Sequence, residues 1–357
     1  MATVREVATR AGVSVATASR VMSGRGYASP QAREAVLRAA SELDYVPNAF
    51  ARGLKTRRSN LIALLVPEIV YSFYTTIARG VEDVTSKSNI HVILGNTDES
   101  TVKERDYIDL LIGSHVDGIV LAPVNSSSRS LKRLMDNQVP TVLIDRVVAG
   151  FPADVVHDDN VGGAAALTNH LLKLGHRRIA FLNGDRDTSV AREREAGFRL
   201  ACQQAGLAVD DNLVSSGQWN ADDAERRIDQ LLDSQVPFTA MIAANYFLVI
   251  GALRALRRRG CRVPEDIALT CFDDISGAAE LDPFLTVIEQ PAYAMGRLAA
   301  QLLLDRLSEA YTGPPRDIVV SPRLVVRRSC GAQLPQAHSV EPGALCLDPA
   351  GRMDDER

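Results

Sequence analysis

Apolar residues along this chain follow two periods, and the change from one to the other falls near residue 60. In the first stretch Val4, Val7, Ala8 and Ala11 recur at i, i+3, i+4 and i+7, on one face of a helix. Thr3 followed by Glu6 makes a capping box at its start, and Gly12 ends it. Val13 supplies a buried corner. Ser14 caps a second helix, 15–22, that packs through Ala18, Val21 and Met22 and turns Val15, Ala16, Ser19 and Arg20 outward. Ser29 and Pro30 begin a third helix with Val36, Leu37, Ala40 and Leu43 on its inner face. The pattern predicts three short helices around one small core, the first two at helix-turn-helix spacing.

Beyond Arg57, Arg58, Ser59 and Asn60, short apolar runs alternate with helical stretches. Residues 61–67, 89–96, 116–123 and 139–145 read as buried parallel strands. The rhythm repeats at 177–184, more weakly at 213–216, then at 239–245 and 266–272. The intervening segments are long enough for crossover helices. The expected fold class is α/β: an all-α head followed by two doubly wound parallel-sheet lobes with a cleft between them. Ligands of such sheets bind beyond the carboxyl ends of the strands, so the residues after each strand are the candidates.

Composition narrows the class. With 357 residues, 46% hydrophobic and 24% charged, the chain is neither disordered nor fibrous and has room for two or three domains. Five scattered cysteines without a C-x-x-C read as a reducing compartment. No apolar segment opens the chain and no window approaches the roughly 18 apolar residues of a membrane span, so a cytoplasmic location is expected. Charge is divided unevenly. Residues 1–60 hold ten Arg or Lys against four acids, while the remainder carries an acidic excess. A basic head suits a polyanion, although solvated helix faces account for many such runs.

Catalytic signatures are missing: no G-x-G-x-x-G, P-loop, G-x-S-x-G or H-E-x-x-H. His91, His115, His157, His170 and His176 have no base-orienting partners and read as surface or structural residues. The pairs Asp158-Asp159 and Asp273-Asp274 are more often helix caps and turn formers than metal or acid–base sites. No cofactor and no metal are expected.

The segments TVREVATRAGVSVATASRVMSG and SELDYVPNAFARGLK resemble, without a gap, the N-terminal domain of the LacI/GalR family of bacterial transcriptional regulators. LLKLGHRRIAFLNG, AREREAGF, VPEDIALTCFDD, LTVIEQPAYAMGRLAAQLLL and LVVRRS resemble the family's effector-binding core, itself similar to periplasmic sugar-binding proteins. The resemblance covers about residues 2–329. It implies a helix-turn-helix domain at 1–46, a hinge helix and linker at 47–60 and a two-lobed core at 61–330. The tail, 331–357, reads as disordered, with no leucine heptad to make a tetramer.

Roles follow from the resemblance residue by residue. Val15 and Ala16 would select operator bases, with Arg20 a further base-reading donor. Thr3, Ser14, Thr17, Ser19, Arg33 and Tyr45 would face or brace phosphates. Asn48, Leu54 and Lys55 belong to the hinge segment, where Leu54 would wedge into a central, easily kinked base step, though a leucine there also suits a linker packed on its own domain. In the core, Phe73, Tyr74, Asp145, Arg194, Trp219, Asn245 and Asp273 would line an effector pocket suited to a small polar ligand, a sugar or sugar derivative. Two positions depart from the family. Asn245-Tyr246 stands where Asn-Asp is usual, removing a carboxylate from the rim, and Cys271 replaces a glycine and would narrow the space near Asp273.

These features point to a homodimeric, ligand-responsive repressor binding a palindromic DNA operator, with no membrane partner. The rivals are a cytoplasmic sugar or nucleoside enzyme with a basic head, a solute-binding transport protein and a nonspecific DNA binder.

Overall fold

In the computed structural model, residues 2–23, 27–45, 58–126, 129–274 and 283–332 are described. The hinge positions Asn48, Leu54 and Lys55, and the tail from residue 333, lie outside them. The chain divides into two compact units, 1–60 and 61–357.

In the first unit, α1 (Val4–Ala11), α2 (Val15–Ser23) and α3 (Pro30–Glu42) enclose Val7, Ala8, Ala18, Val21, Val36, Ala39 and Ala40. Their ends are set locally. Thr3 and Glu6 form the reciprocal capping box, Gly12 closes α1 in the left-handed conformation at φ 66°, and the Ser29 hydroxyl accepts from the Ala32 amide ahead of Pro30. Leu37 corrects the expected inner face, being 51% exposed. The stripe that begins at Val36 continues through Ala39, Ala40 and Leu43, and Leu37 lies about 100° round the helix from it.

The second unit holds two six-stranded sheets. The first contains β1 (Leu61–Val66), β2 (His91–Asn96), β3 (Gly118–Leu121), β4 (Thr141–Ile144), β5 (Asp154–Asp158) and β11 (Asp317–Val320). They are all parallel, in the order β11-β5-β4-β3-β1-β2. The second contains β6 (Ile179–Asn183), β7 (Val214–Ser216), β8 (Ala240–Ala243), β9 (Ala268–Phe272), β10 (Thr286–Glu289) and β12 (Arg323–Val325). Its order is β12-β10-β9-β8-β6-β7, and only β12 runs antiparallel.

Helices α4 (Ser72–Thr85), α5 (Thr101–Gly113) and α6 (Arg129–Asp136) belong to the first lobe. The second has α7 (Asn160–Lys173), α8 (Ser189–Gln204), α9 (Ala221–Asp233) and α10 (Tyr246–Arg258). The last, α11 (Ala292–Leu307), returns to the first lobe, where Met295, Ala299 and Leu303 join Ile62, Leu64 and Val142 in one core. Among the described residues the chain therefore passes between lobes three times: before Asn160, before Ala292 and before Arg323.

Two expectations change here. The run 89–96 forms β2, but it is an edge strand, and Ile93 and Leu94 are exposed rather than buried. Strands β5, β10, β11 and β12 were not anticipated. Among the cysteines, Cys202, Cys271 and Cys330 are free and buried, whereas Cys261 is disulfide-bonded, which their scatter did not suggest.

Close approach of α4 and α11 depends on two glycines. A Cβ on Gly80 would overlap the Tyr293 carbonyl, and one on Gly296 would overlap that of Ile77. Gly296→Ala is therefore expected to destabilise the protein by about 1–3 kcal/mol through overpacking, despite alanine's better helix propensity. The urea midpoint checks this.

Candidate functional site

Two surfaces carry the predicted residues. On the head, Val15, Ala16 and Arg20 are exposed along the start and outer side of α2, while Thr17 and Ser19 are half-buried. Thr3 and Ser14 are exposed, with hydroxyls engaged in caps: Thr3 Oγ1 accepts from the Glu6 amide (3.3 Å) and Ser14 Oγ from the Thr17 amide (3.1 Å). The Thr3 amide and hydroxyl donate to Glu6 and hold its carboxyl below the usual range. Tyr45 is half-buried against the three-helix core. Arg10 and Arg38 are paired with Glu42 and Glu34, but Arg20 and Arg33 are exposed and make no ion pair among the described residues. Their charge is available to an external anion.

The second surface is a cleft of about 600 Å³ between the lobes. Its walls come from the segments that follow strands: Glu68 after β1, Asp98 and Glu99 after β2, Val124 after β3, Asp145 and Arg146 after β4. From the second sheet come Asp185 after β6, Trp219 after β7, Asn245 after β8 and Gln290 after β10. This is where parallel sheets leave the N–H-rich starts of their following helices open to a ligand.

Of the seven predicted pocket residues, Phe73, Tyr74, Asp145, Arg194, Trp219 and Asn245 line the cleft. Asp273 does not. It follows β9 with φ 81°, matching Asp145 after β4 with φ 67°, but it is buried, and neither of its carboxyl oxygens has a hydrogen-bond partner among the described residues. Burial holds its carboxyl well above the usual range. Cys271 lies in the second lobe's core, and its side chain does not narrow the cavity.

Arg194 is the most connected of these residues. Nε donates to Asn160 Oδ1 (2.8 Å), Nη1 to the Ala244 carbonyl and Nη2 to Gln290 Oε1 (3.4 Å), while the guanidinium lies 3.7 Å from the Phe272 ring centroid. It thus ties together two of the three inter-lobe passages at the wall of the cleft. Burial lowers its pKa. Tyr74 donates to Asp145 (2.7 Å), and its own ionisation is pushed well up by burial and then by Asp145. Asn245 Oδ1 caps α10 by accepting from the Leu248 amide (2.9 Å), which leaves its amino group for a ligand.

Sequence reasoning missed the acidic rim and its cation. Arg146 grips Glu99 through both nitrogens (2.7 and 2.5 Å) and also donates to the Val124 carbonyl (2.8 Å). Burial alone would lower the Arg146 guanidinium, but Glu99 pushes it up. The rule of strand ends pointed at this region without selecting it. Asp159 is a helix cap, accepting from the Gly162 amide (2.7 Å), as its position beside α7 suggested. Its neighbour Asp158 is buried and pushed up to about 8, first by burial and then by Asp145.

Tyr246 explains its own departure from the family pattern. Its ring stacks with Tyr71 of the first lobe (centroids 6.2 Å, 13° between planes), and Phe247 lies 5.5 Å from the same ring. An aromatic contact across the cleft's edge stands where the family pattern has a carboxylate.

Residues 3–48 match the bacterial regulatory proteins of the lacI family, and residues 168–330 match a periplasmic binding protein-like domain. The HTH-type transcriptional regulator CelR of Thermobifida fusca is 38% identical over 335 residues, 92% of this chain and 98% of that one. The ribose operon repressor of Halalkalibacterium halodurans is 36% identical over 310 residues, 87% and 91%. Among solved structures, the transcriptional regulator CelR–cellobiose complex has a TM-score of 0.70 at 36% identity, covering 92% of this chain and 100% of its own. The lac repressor dimer bound to operator and the anti-inducer ONPF has a TM-score of 0.79 at 25% identity, covering 92% and 99%.

Proposed function

The chain belongs to the lacI family of bacterial regulatory proteins, and from that premise we propose that it is a repressor whose hold on a palindromic operator is set by a small, polar, uncharged carbohydrate in the inter-lobe cleft. It is a DNA-binding transcriptional regulator and not an enzyme, as its relatives are. In this reading residues 1–46 read the DNA, 47–60 form the hinge, and 61–330 bind the effector as a homodimer in the cytoplasm. No helix of the described residues is long and apolar enough to cross a membrane.

The observation that carries the effector reading is the lining of the cleft. Acceptors and donors suited to hydroxyls (Asp145, Asn245, Gln290) sit beside aromatic faces (Phe73, Trp219). Both lining guanidinium groups are already engaged, Arg146 by Glu99 and Arg194 by neutral acceptors, and the rim is acidic. An anionic ligand would meet repulsion there. The cellobiose-bound relative supports the carbohydrate class. Binding acts on DNA by linkage: the effector changes operator affinity only as far as it prefers one lobe arrangement, typically by about 1–3 kcal/mol.

Selection of duplexes from a random pool at physiological salt, with and without a panel of neutral sugars, tests the proposal. Recovery of one palindrome, with affinity altered by one of the sugars, is expected. Recovery of no preferred duplex under any condition would overturn it. On the recovered operator, Arg20→Ala is expected to lose about 1–3 kcal/mol and relax the preference at one base pair. Arg33→Ala should weaken all sequences alike and reduce the salt slope by about one, as phosphate contacts do. Competition titrations with base-substituted operators separate the two.

A further inference from the structure

We infer that Gly184 and the Asp223–Arg227 pair are positioning residues, which seat the chain's single tryptophan, Trp219, as a fixed wall of the effector cleft. Gly184 directly follows β6, and its amide is held by the Asn183 side chain (2.9 Å). A Cβ on Gly184 would fall inside the indole, against Cε2, Cδ2 and Cζ2 of Trp219, so the ring lies flat on the glycine backbone. The indole Nε1 is buried and has no partner among the described residues. Among the described residues no hydrogen bond therefore fixes the ring. Its place depends on the surface beneath it and on the loop that carries it.

That loop is clamped from below. Arg227 Nη1 donates to the Asn183 carbonyl (2.9 Å), next to Gly184, and to the Ser215 carbonyl in the middle of β7 (2.9 Å). Its Nη2 reaches the carbonyl of Gln218 (3.4 Å), the residue before Trp219. Asp223 completes the clamp: its Oδ2 accepts from the Gln218 amide (2.9 Å) and pairs with Arg227 at 2.8 Å. Both side chains are nearly buried, at 10% and 14% exposure, so solvent screens the pair little. Gly217 leaves room for them, because a Cβ there would strike the Asp223 carboxylate and the Arg227 guanidinium. One arginine thus ties the strand end beneath the indole to the segment that holds it. The face opposite Gly184 is left for the cavity that Trp219 lines, and a ligand with a flat apolar ring face fits against it.

The consequence for specificity rests on the effector reading of the cleft, but the seating itself is testable without an effector. Trp219 is the chain's one tryptophan, so emission excited at the indole band reports on it alone. In the full-length protein, Gly184→Ala is expected to shift the emission maximum and raise the acrylamide quenching constant, because the ring must leave its seat. Arg227→Gln is expected to do the same with Gly184 intact, and Arg227→Lys to restore only part of the wild-type signal, since an ammonium cannot span the three carbonyls. A merely structural role would lower the urea midpoint and leave the native-state emission and quenching unchanged. That result would overturn the inference. If Gly184→Ala fails to fold, the folded Arg227 variants decide alone, by the same signals. A failed sugar screen would sink the effector reading and leave these optical outcomes standing.

Discussion

Replacing Arg194 with alanine is expected to abolish the response of operator binding to the effector while operator binding itself survives. The guanidinium is buried and supplies donors to the Ala244 carbonyl and to Asn160 and Gln290, the last two at passages between the lobes, and it stacks on Phe272. Truncation removes a charged donor set from the cleft wall and leaves two buried acceptors, Asn160 and the Ala244 carbonyl, and the half-buried Gln290 without this donor. Losing one partner of a buried, hydrogen-bonded charged group typically costs about 2–5 kcal/mol, which corresponds to roughly 30-fold to a few thousand-fold in affinity. The head should keep its fold, because its core (Val7, Ala18, Val21, Val36) is built from residues of its own three helices. Anisotropy titration of the operator, with and without the sugar found by screening, reads both quantities. A preserved response would remove Arg194 from the effector site. Loss of operator binding without effector would mean that the substitution acts on the fold of the core instead.

Local rules made the head and most of the strands legible. Capping at Thr3, Ser14 and Ser29 involves residues three apart in sequence, so it can be read from the letters alone. Strands with continuous apolar runs, such as β1 and β8, announce themselves because both faces are covered. What failed is nonlocal. The run 89–96 holds Ile90, Val92, Ile93 and Leu94 close together and so reads as a strand, but sheet order puts it at an edge, and order is not written in the run itself. Strand β11 is half-exposed and β12 only three residues long, so neither carries a clear period. In the cleft, strand ends marked the right neighbourhoods, and six of seven residues line the cavity. Gln290 was missed because its strand was missed. Glu99 and Arg146 were missed because their pairing joins loops 47 residues apart.

Removing the carboxylate of Asp154 tests what holds the returning strand in place, and its expected effect on stability is large. Asp154 begins β5, its side chain has no exposure, and it accepts from Arg306 (2.7 and 3.0 Å) and from the Arg316 side chain and amide (both 2.8 Å). The Tyr311 ring lies beneath both guanidinium groups, with centroid distances of 4.7 and 4.2 Å. Arg316 leads into β11, so one carboxylate fastens β11 and α11 to β5. Asp154→Ala should cost about 3 kcal/mol, the low end for breaking a buried pair, because each arginine keeps about a fifth of its surface in water and can rehydrate. Asp98→Ala removes a pair whose partners are about half exposed and screened by solvent, and should shift the urea midpoint far less. The pH dependence gives a second handle. Burial works against the charged carboxyl, but hydrogen bonds from Arg306 and Arg316 outweigh it and hold the Asp154 pKa below its ordinary value. A depressed folded-state pKa means that the stabilisation is present above the unfolded value of about 3.9 and is lost as pH falls through the folded one. Urea midpoints of the wild type and Asp154→Ala should therefore differ most at neutral pH and converge below about pH 4. A gap that stays constant across that range would show that packing, rather than the charge on Asp154, fastens the strand.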